Sequence, residues 1–209
     1  MNFLRPIIVF VGILAAWQAI VSGFSIAPFI LPGPLAVFDI AVERADTLAG
    51  HAMVTVSEIL LGLLFGTIMG TVSALVMAYF RSARAWVLPV LVVSQAVPVF
   101  ALAPVLVLWF GYGIVPKVAM ATLIIYFPVT AAFYDGLRRT EPGWIDLART
   151  MGASKAAILR KIRIPAALPA FASGLRVAAA VAPIGAVVGE WVGSSAGLGY
   201  YMLLMNGRV

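Results

Sequence analysis

Residues 146–165 read DLARTMGASKAAILRKIRIP, a charged, helix-forming stretch set between apolar segments too long for soluble helices. Glu141-Pro142 upstream starts a helix well, because proline fits the first turn and an acidic residue favours the positive helix end. Gly152 then supplies a stop. Ser154 caps a second helix, Lys155 to Arg163, whose late basic residues suit its negative end before Pro165 terminates it. Two short helices meeting at a glycine make a compact knob. At Gly152 and Ala153 another protein can approach the backbone without side-chain obstruction.

The sequence around this knob belongs in lipid. Of 209 residues, 63% are hydrophobic and 11% charged; an ordinary soluble domain has about 25% charged residues. The mean hydropathy is +1.08. Several uncharged runs approach the ~20 residues that cross ~30 Å of hydrocarbon. The expected fold is all-α, a polytopic transmembrane helical bundle forming one domain over residues 1–209, with the cytoplasmic hairpin at about 136–165.

Span one is expected from Pro6 to Val21, uncleaved, since no convincing cleavage site follows Arg5 and its apolar run. Residues 22–51 are polar. They open on the Leu31-Pro32-Gly33-Pro34 turn and continue as a short amphipathic surface helix toward Ala49. Span two covers about Val54 to Phe80. The apolar region Ala85 to Val115 is too long for one straight helix, and Pro89, Pro98 and Pro104 predict a kinked or broken span. Freed carbonyls there need neighbours or water, which makes this region a candidate pathway. After the Gly111-Tyr112-Gly113 turn, span four covers about Val118 to Tyr134, and span five runs from near Pro165 to near Gly189.

Charge sets the orientation, because Lys and Arg in short loops stay cytoplasmic. With the N-terminus inside, Arg5, Arg81, Arg84, Arg138, Arg139, Arg149, Lys155, Arg160, Lys161, Arg163 and Arg176 make eleven inner charges. Arg44, Lys117 and Arg208 make three outer ones. The hairpin is then cytoplasmic and the tail from Glu190 onward lies outside. The net charge of +6 therefore reads as topology and not as a nucleic-acid surface, which would need a basic soluble face with interleaved aromatics. With no cysteine, disulfides, thiolate metal sites and cysteine catalysis are excluded. An intramembrane enzyme would need a nucleophile with its base, or a metal cluster, and the sequence offers neither.

The Asp146-Leu147-Ala148 turn, Gly152, and Ile162-Arg163-Ile164-Pro165 with nine residues between it and the glycine together resemble the EAA signature of ABC importer permeases. Asp146, Leu147 and Ile164 depart from the usual letters. Over the rest of the chain, Leu31 to Pro34, His51 with Thr55 and Gly62, and the tail from Gly189 to Tyr200 resemble the nitrate, sulfonate, taurine and thiamine-precursor permeases. Glu58 and the ending Tyr201 to Arg208 are most similar to hydroxymethylpyrimidine permeases. The resemblance implies a multi-pass permease of the bacterial inner membrane that works as a homodimer by alternating access. It implies two ATPase subunits below and an extracytoplasmic binding protein outside. ATPase coupling falls to Asp146, Leu147, Ala148, Gly152, Ala153, Ser154, Ile162 and Pro165. It also implies a sixth span missing after the fifth, through truncation or divergence. The sequence contains no G-x-x-x-x-G-K-[ST] loop, so ATP and magnesium are expected in the separate ATPase, with no cofactor on this chain.

Gly62, Gly66 and Gly70 recur every four residues and line one face of span two for close helix approach. Glu58 and Glu190 are the carboxylates nearest apolar sequence, and an intramembrane carboxylate is a candidate for gating or for contact with the binding protein. Both are expected near the outer boundary, where hydration makes them ordinary. Ser94 and Gln95, beside Pro98 in the broken region, are candidates to hydrogen-bond a polar substrate. Trp109 and Trp191 read as interfacial anchors. His51, the only histidine, is expected to cap or pack, because it lacks partner ligands for a metal. A proton-coupled secondary transporter, with Glu58 and Glu190 as relay carboxylates, is the competing function; such a transporter has no use for the hairpin.

Overall fold

The uncharged runs become long helices because only intra-segment hydrogen bonding satisfies a backbone in hydrocarbon. The structure, a computed structural model, describes residues 4–207, so the outer charge assigned to Arg208 lies outside the described residues. The helices are α1 Leu4–Gly23, α2 Pro34–Glu43, α3 Ala45–Tyr79, α4 Arg81–Ser94, α5 Val99–Phe110 and α6 Ile114–Arg138. There follow α7 Pro142–Thr150, α8 Lys155–Ile158, a π-turn Leu159–Arg163, α9 Ile164–Trp191 and α10 Leu198–Asn206. Four of these segments are long and apolar enough to cross a membrane: Leu4–Gly23, Ala45–Tyr79, Ile114–Arg138 and Lys155–Trp191. The region around Pro98 is broken, with α4 and α5 of 14 and 12 residues joined through Gln95 to Pro98.

The body is a three-helix unit. α3 and α6 run parallel, and α9 returns antiparallel against α6. On α3, a Cβ at Gly62 would come within 2.5 Å of the Ala121 methyl, and one at Gly66 within 2.6 Å of Ile125 Cγ2. At Gly70 a Cβ would stand 3.0 Å from Val129 Cγ1. The glycine stripe therefore brings α3 directly onto α6. In lipid, where apolar burial gives no drive between helices, this close packing is what holds them together. Met120, Ile125, Val129, Leu137, Ala178 and Ala182 form the dry centre. No residue of α1 is buried, so it stands apart from the body.

Several boundaries differ from the sequence expectation. The surface helix stops at Glu43, and α3 begins at Ala45, so residues 45–53 belong to the span and not to an interfacial segment. Its 35 residues rise about 52 Å at ~1.5 Å each, more than the hydrocarbon needs. α6 is likewise longer at both ends than Val118 to Tyr134. Arg176, counted among the cytoplasmic charges, lies well inside α9 and is exposed on it. Pro165 does not end the second hairpin helix. The chain stays helical from Lys155 to Trp191, because the wide π-turn just before Pro165 accommodates a residue without an N–H.

Candidate transport site: hairpin, cavity and far end

At the hairpin, Glu141 is the N-cap of α7 and Pro142 occupies its first turn. The helix ends in a Schellman arrangement: Ala153 N donates to Ala148 O at 2.9 Å and Gly152 N to Arg149 O at 2.9 Å. This closure needs the left-handed φ of +79° at Gly152. Ser154 then accepts from Ala157 N at 3.2 Å and starts α8. Asp146 pairs with Arg149 on the surface at 3.0 Å.

A groove of about 420 Å³ lies between α7 and the start of α9. Leu147, Ala148, Ile162 and Pro165 line it together with Trp144 and Met151. Asp146, Gly152 and Ser154 lie outside it and shape the turn, while Ala153 lines a separate crevice beside Arg163. Trp144, Leu147 and Met151 are 56%, 62% and 79% exposed, an apolar tip on an otherwise charged segment. Exposed apolar surface rimmed by polar residues marks a contact with another protein.

The basic residues following the turn reach back to the body. Arg163 Nε donates to Leu137 O at 2.9 Å and its Nη1 to Ala78 O at 3.4 Å. Lys155 Nζ donates to Tyr79 O and stands 4.6 Å from the centre of the Tyr79 ring. From sequence these cations are expected to set topology and to suit the negative end of the second helix; their acceptors on the body are backbone carbonyls, which leave no residue signature.

Where the broken third region meets α6, a cavity of about 580 Å³ is lined by Ser94, Gln95, Trp86, Leu102, Leu123 and Tyr126 among others. Among the described residues no charged side chain lines it. Ser94 Oγ donates to Leu91 O at 2.8 Å, and Tyr126 OH donates to Ser73 Oγ of α3 at 2.9 Å. Pro98 is not among the lining residues; it breaks the helix at the N-cap of α5.

The opposite end of α3, α6 and α9 holds the carboxylates, and here the expectation of interfacial hydration fails. Glu58 and Glu190 are 0% and 1% exposed, because α6, α9 and the start of α10 close over them. Glu58 Oε1 accepts from Lys117 Nζ at 2.7 Å. Its Oε2 has no partner among the described residues. Glu190 accepts from Thr55 Oγ1 at 2.6 Å and from Gly199 N. Thr55 Oγ1 in turn accepts from Leu198 N at 2.8 Å. Gly197, with φ +116°, has no room for a side chain against the Glu190 carboxylate.

His51 Nδ1 accepts from Gly197 N at 3.1 Å, and its ring stacks on Tyr201 at 5.0 Å. Its position is that of a packing residue. Among the described residues no group of three His, Asp or Glu side chains is arranged to hold a metal ion. Trp191 stacks on Phe100 at 6.1 Å. The pairing of Lys117 with Glu58 escaped sequence reading, since nothing local links residues on two different helices.

Comparison with known proteins agrees with the fold and extends it. A probable ABC transporter permease protein of Haemophilus influenzae is 54% identical over 208 residues, covering 100% of this chain and 85% of the relative. The formylaminopyrimidine transport permease of Halalkalibacterium halodurans is 38% identical over 200 residues, 95% of this chain and 79% of that protein. A solved chain of the MetNI methionine ABC transporter superposes with a TM-score of 0.66 at 20% identity. That match covers 80% of this chain and 84% of the solved one, and it supports the helical architecture. Residues 62–208 match the model of the binding-protein-dependent transport system inner membrane component. The chain therefore belongs to that family, the multi-pass membrane permeases of ABC importers, and is a transport subunit and not an enzyme.

Proposed function

We propose that this chain forms one permease domain that works as a homodimer and moves a small uncharged heteroaromatic compound of the hydroxymethylpyrimidine type inward. An ATPase dimer grips the hairpin, carries the ATP and magnesium, and drives alternating access. A binding protein delivers the substrate from outside. The N-terminus and hairpin face the cytoplasm, as the excess of Lys and Arg on that side requires.

The observation that carries the docking role is the hairpin groove. Leu147 and Met151 are exposed at the tip of a helix whose turn is fixed by a full set of backbone hydrogen bonds. A rigid apolar knob of this kind suits a partner with a complementary cleft. For the substrate, the cavity at Ser94 and Gln95 offers an amide, a hydroxyl and the aromatic rings of Trp86 and Tyr126, with no charged side chain among the described residues. That chemistry suits a planar neutral ring, held by stacking and a few hydrogen bonds. The 38% identity to a formylaminopyrimidine permease supports the same class. A second reading within the family, an anionic substrate such as a sulfonate, taurine or nitrate, draws support from Arg176, exposed midway along α9. The proton-coupled alternative would use Glu58 and Glu190; family membership favours the ATP-driven one.

The test is ATPase activity of the chain co-purified with its ATPase, wild type against Gly152→Trp. The expected result is stimulation by binding protein loaded with hydroxymethylpyrimidine, lost in the variant. Stimulation by a loaded sulfonate alone would keep the mechanism and exchange the substrate. No association with any ATPase would overturn the proposal, and uptake that stops with an uncoupler but survives ATP depletion would favour proton coupling.

A further inference from the structure

We infer that Arg163 is the joint that couples hairpin movement to α3 of the membrane-spanning body, a positioning role that rests on the ATP-driven reading above. α3 and α6 run parallel and end side by side at Tyr79 and Arg138. Their last carbonyls have no intrahelical partners and carry the negative ends of two helix dipoles. One half-buried guanidinium reaches both helices, with Nε on Leu137 O at 2.9 Å, which also accepts from Thr140 Oγ1 at 3.2 Å, and Nη1 on Ala78 O at 3.4 Å. A planar fork of donors can bridge two acceptors in fixed geometry; a lysine ammonium is a point charge on a flexible stem.

The connectivity makes this bridge matter. α7 continues from α6 and leads into α8, but α3 has no chain connection to the hairpin, since it passes through Phe80 into α4. A displacement of the hairpin therefore reaches α3 by two routes, the packing of α3 on α6 and α9 and the side chains that the hairpin segment itself extends to the end of α3. Arg163 and Lys155 supply hydrogen bonds to its last two residues, one from each end of the segment that follows Gly152. Between them the backbone widens into the π-turn Leu159–Arg163, and Pro165 supplies no N–H to stiffen it. Such single-turn π-bulges occur frequently at functional sites. Arg163 crosses this soft turn and ties it to two rigid helices. Those same helices carry Glu58 and Lys117 at the far end, joined at 2.7 Å, so a displacement of α3 against α6 bears on that pair.

The absence of cysteine allows a direct test. Met53, 77% exposed on α3 toward the far end, is changed to cysteine and spin-labelled in the full chain. The labelled chain is assembled with its ATPase in nanodiscs, and the label-to-label distance between the two copies is measured with and without ATP and vanadate. The wild-type background is expected to shift on nucleotide trapping, and a wild-type chain that hydrolyses ATP without any shift overturns the joint. Arg163→Gln is expected to assemble and hydrolyse ATP within about twofold of wild type yet lose at least about half of the shift, with Arg163→Lys intermediate. A purely structural loss would lower assembly, hydrolysis and shift together. A full shift in Arg163→Gln overturns the joint. Should that variant fail to assemble, Arg163→Lys decides: a reduced shift with assembly intact supports the joint, and a full shift overturns it. A wild-type chain that binds no ATPase overturns the proposed function and the joint with it, a result distinct from either.

Discussion

Lys117 and Glu58 meet at 2.7 Å with their side chains 8% and 0% exposed, whereas Arg149 and Asp146 meet at 3.0 Å with 67% and 69% exposed. The first pair closes the far end of the α3–α6–α9 body, and the second decorates the hairpin. Nearly equal distances conceal opposite physics. A buried pair has given up hydration on both partners, so removing one leaves an uncompensated charge. A surface pair keeps its water, is screened by salt and contributes little. The far end is thus locked by side chains reaching between helices, while the hairpin is shaped by its own backbone and tied to the body by cations on the carbonyls of helix ends. On the proposed function, a hairpin that engages an ATPase and moves needs its shape preserved and its surface wet; a sealed end needs neither.

The largest effect expected from this contrast comes from Lys117→Met. It strands Glu58 beside Glu190 in a dry site and should cost about 3–5 kcal/mol of stability, read by unfolding in detergent micelles. The double variant Lys117→Met with Glu58→Leu should recover most of that loss. If the single variant is as stable as the double, the pair is not what closes the far end. Next comes Thr55→Val, which deprives Glu190 of a donor and Leu198 N of its acceptor and should cost about 1–3 kcal/mol. Hydrogen exchange at Leu198 and Gly199 should accelerate while Gly152 and Ala153 stay unchanged. Equal acceleration at both ends would mean that the two are coupled more tightly than the contrast allows.

The sequence carried most of the architecture, because lipid imposes two conditions that are visible in one dimension: uncharged runs of spanning length, and breaks at proline. The interruption near Pro98 and the hairpin punctuated by Gly152 and Ser154 were legible for that reason. Helix ends were less so. Residues 45–53 include Asp46 and His51 and read as interfacial, yet α3 simply extends past the hydrocarbon. Pro165 read as a stop because a π-turn leaves no composition signal. At the far end, burial of Glu58 and Glu190 depended on a lysine and a threonine on other helices, and a carboxylate near a span boundary looks the same whether wet or dry. The cavity beside Ser94 and Gln95 needed Tyr126 from α6 to close it, and Arg163 needed carbonyl partners that every residue possesses.

At the hairpin the expected effects shrink. Gly152→Ala places a side chain at φ +79°, where a non-glycine residue costs roughly 1–2 kcal/mol, although nothing lies within 4 Å of the new methyl. The strain should appear as faster exchange at Gly152 and Ala153 with the unfolding of the body unchanged. Destabilisation of the whole body would show that the turn is part of the core and not an appendage.

The smallest effect should come from Asp146→Ala. Asp146 lies within α7 and Arg149 in its last turn, where a cation already suits the negative helix end without help from a carboxylate. The variant therefore leaves Arg149 in a favourable position and restores full hydration to it. Stability should change by less than about 0.5 kcal/mol and become slightly less sensitive to salt, since a pair three residues apart on an exposed helix is worth only a few tenths. Unfolding midpoints at low and high ionic strength would check both points. A loss above about 1 kcal/mol would place this pair in the class of Lys117 and Glu58. The hairpin's surface would then be held by charge, and its Schellman turn would no longer suffice to explain why the knob keeps its shape.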